Sequence, residues 1–179
     1  MIWIDNFSLN EISLIIMNVI GYSLMMFLPK KLSREVTFIS VLAGLSTGMM
    51  FDFTLGGGLV DFYKQNDSNH YELFDLFYYS LFAPFGYFFM YFYHMLQINK
   101  ITFILYITAW SFIGITFQWI FTLLHILTYQ NNYHLSYSFP IFLLIQTLTG
   151  IFYVFIRSDN GRKLYWNGKG EQITVRPNF

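Results

Sequence analysis

Leu73 to Leu96, LFDLFYYSLFAPFGYFFMYFYHML, is the stretch that most narrows what this chain can become. Its 24 residues rise roughly 36 Å as a helix, against about 30 Å for the hydrocarbon core of a bilayer, so a tilted or bent helix fits across it. Pro84 removes a backbone donor and its ring crowds the carbonyl of Ser80, which predicts a bend there, and Gly86 lets a neighbouring helix come close. Phe and Tyr make up half of the segment. Bulk of this kind reads as lipid-facing and packing surface before it reads as an aromatic ligand cage.

Four further apolar runs share the pattern, about Glu11 to Leu28, Val36 to Leu55, Ile101 to Leu127 and Tyr137 to Ile156. Five spans follow, and 55% hydrophobic against 11% charged residues agrees with a membrane chain rather than a soluble domain. The start, MIWIDNFSLNEIS, lacks the basic region and small-residue cleavage site of a secretory signal, so the first run is expected to be retained as a span. With no Cys there are no disulfides, thiolate metal sites or thiol chemistry.

The basic residues set the orientation. Lys30, Lys31, Arg34, Lys100, Arg157, Arg162, Lys163, Lys169 and Arg176 fall on one side of the five spans and only Lys64 on the other. Under the positive-inside rule the N-terminus is outside and the C-terminus cytoplasmic. The expected fold is therefore all-α: a five-helix transmembrane bundle over residues 1–156, then a short basic cytoplasmic tail over 157–179. Around Asn167 and Gly168 that tail reads equally as a small hairpin or a frayed end.

Polar groups inside the spans are costly, and they point to the bundle interior or to function. Asn18 and Tyr22 share a face of the first helix with Glu11 and Met25; Gly44 and Gly48 form a small-xxx-small pair on the second, with Asp52 one turn beyond. The fourth carries Thr108, Ser111, Gln118, Thr122 and His125 in one stripe, and the fifth carries Gln146, Thr149 and Tyr153. Asn18, Asp52, Asp75, Gln118, His125 and Gln146 are accordingly the candidate lining of a polar cavity open to the outer side; the competing reading is interhelical hydrogen bonding alone.

A metal centre from His70, Glu72, Asp75, His125 and His134 is the weaker candidate, because HExxH is absent. No motif surrounds any serine nucleophile, so neither an enzyme nor a cofactor is expected. The cations are dispersed over short connections, which argues against nucleic-acid binding and for contact with lipid headgroups.

Trp110, the run Phe117, Gln118, Trp119, the turn Leu127, Thr128, Tyr129 into Asn131 and Asn132, and Tyr137 with Ser138 resemble the second half of small multi-span membrane proteins of spore-forming Gram-positive bacteria. The resemblance covers the last two helices and implies topology and a bacterial plasma membrane. Where that pattern often has an acidic residue this chain has Gln118, which speaks against a proton or metal role for the position. The leading expectation is a non-enzymatic, multi-pass plasma-membrane protein that is an accessory or assembly partner of another membrane protein or of itself. The alternative is a small transporter or an ion- or small-molecule-binding protein that uses the outward cavity.

Overall fold

The computed structural model describes residues 8–56, 60–65 and 73–163, with side-chain detail ending at Ile156. The helices are α1 (Leu9–Phe27), α2 (Arg34–Leu55), α3 (Leu73–Ser80), α4 (Phe82–Met95), α5 (Lys100–Leu123) and α6 (Ser138–Lys163). Three of them, α1, α2 and α5, are long and apolar enough to cross a membrane, as is Leu135–Ile156, a 3-10 turn running into α6. The chain is thus a mainly helical bundle with membrane-spanning dimensions.

The segment Leu73 to Leu96 is two helices rather than one bent helix. The interruption lies at Leu81, three residues before the proline, where the Leu81 amide turns to the Tyr78 carbonyl at 3.2 Å. Pro84 sits in the first turn of α4, a place where its missing N–H is tolerated. This leaves the carbonyls of Phe77 and Ser80 without their helical donors, and in lipid such groups need partners. Helix α1 supplies them. Asn18 donates through Nδ2 to the Phe77 oxygen at 2.8 Å, and Tyr22 donates its hydroxyl to the Ser80 oxygen at 3.0 Å. Ser80 completes the patch, its Oγ lying 2.5 Å from Asn18 Oδ1 and 2.8 Å from the Phe77 oxygen.

A thermodynamic cycle tests this arrangement. Tyr22→Phe is expected to cost about 1 kcal/mol in the native sequence and close to nothing in a Pro84→Ala background, where the restored amide reaches the Ser80 carbonyl. Equal losses in both backgrounds, measured by reversible unfolding in mixed micelles, would show that the hydroxyl does not stand in for the missing amide.

Gly44 and Gly48 on α2 meet α4. A Cβ on Gly44 would stand 2.8 Å from the Gly86 Cα, and one on Gly48 would enter the Phe82 ring. The two backbones are therefore in contact, and the small-residue pair packs within the chain. On the other side of the bundle α5 and α6 form a second close pair, with Gly114 against Phe142 and Gly150 against Phe103.

The remaining boundaries differ from the hydrophobic runs for local reasons. Helix α5 stops at Leu123 instead of Leu127, because the chain reverses through His125 at φ +55 and Leu127–Tyr129 becomes strand β2. Helix α6 runs through Arg157 to Lys163, so the first seven residues assigned to the tail are helical; the hairpin around Asn167 lies outside the described residues. Strand β1 (Tyr63–Gln65) pairs antiparallel with β2, Tyr63 opposite Tyr129 and Gln65 opposite Leu127. Asn131 Nδ2 extends the tie to the Asp61 carbonyl at 2.8 Å. This ladder joins the α2–α3 and α5–α6 connections at one end of the bundle.

Two aromatic cores result. One, under the ladder, gathers Leu14, Tyr63, Tyr78, Phe121 and Ile126; the other gathers Val36, Phe89, Tyr93, Tyr106, Trp110 and Tyr153.

Candidate functional site

Between the two cores lies a cavity of about 150 Å³ whose walls come from α2, α4, α5 and α6. Its charged corner is Asp52. This side chain is only 3% exposed, one turn before the end of α2, and every neighbour that bonds to it offers a donor. The Tyr63 and Tyr78 hydroxyls donate to Oδ1 at 2.9 and 3.1 Å, the Tyr79 hydroxyl donates to Oδ2 at 3.1 Å, and the Gln65 amide also donates to Oδ2. An ionised carboxylate is an acceptor only, with room for about four such bonds, so the set matches it.

Local geometry explains how four donors converge. Alternation along β1 sends Tyr63 and Gln65 to one face and Lys64 to the other, while Tyr78 and Tyr79 are successive residues of α3 that embrace the carboxylate from the side. Gln65 also accepts from Tyr79, at 3.2 Å from Oε1. Burial first, then the Asp52 charge, holds the Tyr63 hydroxyl protonated well above the ordinary tyrosine range. Burial does the same, more mildly, for Tyr133 in the α5–α6 connection, whose hydroxyl pairs with Ser138 Oγ at 2.9 Å and is met by Gln118.

Of the six residues expected to line a polar cavity, Asp52, Gln118 and Gln146 come together here. Gln118 is buried on α5, and Gln146 on α6 makes no side-chain hydrogen bond with the described residues. The other three lie elsewhere. Asn18 fills the α3–α4 interruption, Asp75 is half-buried at the start of α3, and His125 is exposed in the turn after α5. Much of the polar stripe on α5 is satisfied within the helix: Ser111 bonds to the Ile107 carbonyl at 2.7 Å and Thr122 to the Trp119 carbonyl at 2.7 Å. Glu11 likewise closes the first turn of α1, accepting from the Ser8 amide at 2.5 Å.

The tyrosines around Asp52, with Tyr133 and Ser138, are site residues that hydropathy does not separate from packing aromatics. The one available signal is the pairing of β-like alternation in Tyr63, Lys64, Gln65 with a carboxylate one helical turn before the glycines. Among the described residues no group of three His, Asp or Glu is placed to hold a metal. His134 is exposed, and His70 and Glu72 lie outside the described residues. No family model matches the chain, and neither a curated protein nor a solved structure matches it.

Proposed function

We propose that this chain is a multi-pass membrane protein that binds a small molecule or ion in the cavity between the α2–α4 and α5–α6 pairs. One observation carries the reading. The Gln146 amide lines the cavity with no side-chain partner among the described residues, beside Gln118 and the buried Asp52 carboxyl group. Gln146 is half-buried on the cavity wall, so its amide is placed to meet a group in the cavity that accepts or donates a hydrogen bond.

Five crossings complete the proposal, α3 and α4 making one crossing end to end. The basic asymmetry supports an outer N-terminus and a cytoplasmic C-terminus, and the ladder supports alternate connections at one face. On that reading the Asp52 corner lies toward the outer side. The resemblance over the last two helices supports a bacterial plasma membrane.

Because the chain has no Cys, single thiols can be placed cleanly. Gln146→Cys is expected to react with neutral methyl methanethiosulfonate in the folded protein, while Ser111→Cys, whose position is fully buried, is expected to stay unlabelled. An unreactive Gln146→Cys would mean a closed helix interface. A role as an accessory subunit is the second reading, favoured by exposed Leu144, Leu148, Ile151 and Phe155 in steps of four, three and four along α6. Co-purification of a partner that is lost on Leu148→Gln would favour it.

A further inference from the structure

We propose that the occupant of the cavity is a hydrophobic organic cation, an aryl- or alkyl-ammonium compound; the inference rests on reading the cavity as a binding site. Charge is the first ground. Asp52 is the one carboxylate in the lining, and among the described residues that line the cavity there is no Lys, Arg or His to neutralise it. The low surrounding dielectric lets its field act across the space, attracting a cation and repelling an anion.

The walls are the second ground. Phe51, Phe82, Phe85, Trp110, Phe117 and Phe121 all face the cavity, and ring faces attract a cation whose charge is spread over alkyl groups. A bare metal ion would instead need about six oxygens, several of them charged. Asp52 already serves four donors, and the other oxygens of the lining belong to neutral hydroxyls and amides. Residues that the sequence presents as packing bulk thus become recognition surface around one carboxylate.

Access is the third. A groove of about 440 Å³ between α2 and α6 shares Thr47, Phe51 and Thr149 with the cavity, so its lining is continuous with an outer face of the bundle. Hydrophobic ammonium compounds partition into bilayers and would arrive along that face. A cavity of about 150 Å³ has room for a single ring of benzene size.

The test uses three probes of similar shape, each with fewer non-hydrogen atoms than benzene, titrated calorimetrically into the full chain in nanodiscs: tetramethylammonium, its neutral isostere tert-butanol, and the anion methanesulfonate. The cation is expected to bind at least about tenfold more tightly than the isostere, with the anion silent. Asp52→Asn is expected to remove that advantage and leave the isostere unchanged. Should Asp52→Asn fail to fold, Phe121→Leu and Trp110→Leu retain apolar bulk and are expected to weaken the cation selectively. If the isostere or the anion binds as well as the cation, the cation proposal is overturned while the cavity reading stands. If none of the three binds, the cation proposal also falls, and an unreactive Gln146→Cys would then remove the cavity reading with it.

Discussion

Gly86→Leu is expected to abolish the native bundle. A Cβ at this position would lie 2.5 Å from the Ser40 carbonyl oxygen and 2.6 Å from the Gly44 Cα, and both are backbone atoms that no side-chain rotation can move. Accommodating leucine therefore means parting α2 from α4 along the length of their contact. Overpacking in a close-packed core costs about 1–3 kcal/mol when side chains can yield; with backbone on both sides the loss here should exceed about 3 kcal/mol, the upper end of that range. Gly21→Ala is the control. Its Cβ would meet only the Pro84 ring, at 3.3 Å, and the change should stay within about 1 kcal/mol, helped by the better helix propensity of alanine. Size-exclusion profiles and unfolding midpoints in detergent separate the two. A monodisperse Gly86→Leu protein with a native midpoint would mean that the glycine contact does not hold the helices together.

Asp52→Ala should give the second largest effect, a loss of about 3 kcal/mol, because it leaves the buried Tyr63 and Tyr78 hydroxyls and the half-buried Gln65 amide without their acceptor. Tyr79 suffers less, since Gln65 Oε1 stands within reach of the same hydroxyl. Asp52→Asn keeps one carbonyl oxygen and should recover about half of the loss, at about 1 kcal/mol per restored hydrogen bond. The comparison is made by reversible unfolding in mixed micelles, followed by tryptophan fluorescence. A loss under about 1 kcal/mol for Asp52→Ala would mean that the tyrosines find water instead.

The architecture was readable where hydropathy and glycine spacing speak: the helical membrane class, the glycine contact of α2 and the inward-facing Asn18. It was less readable where backbone hydrogen bonding decides. The break fell at Leu81 because a proline takes effect on the turn before it, through carbonyls that meet Asn18 and Tyr22 of α1, and no local pattern in Leu73 to Leu96 contains α1. The candidate site was half legible. Asp52, Gln118 and Gln146 stand out as polar groups in apolar runs, whereas tyrosine serves equally as core filler and as donor. Which of the two Tyr63, Tyr78 and Tyr79 become depends on how β1 and α3 fold back onto the end of α2, which no single apolar run states. His125 misled because stripe geometry assumes that the helix continues, and it had already ended.

The donors to Asp52 also permit an order of assembly. All four come from within 27 residues of it in the chain, so the carboxylate can be fully surrounded once Tyr79 has been synthesised, before any part of α5 exists. Strand β2 and the α6 wall arrive tens of residues later. A nascent half-protein at the insertion machinery would thus carry a sheltered anion instead of a bare one, and the last two helices would close around a corner already built.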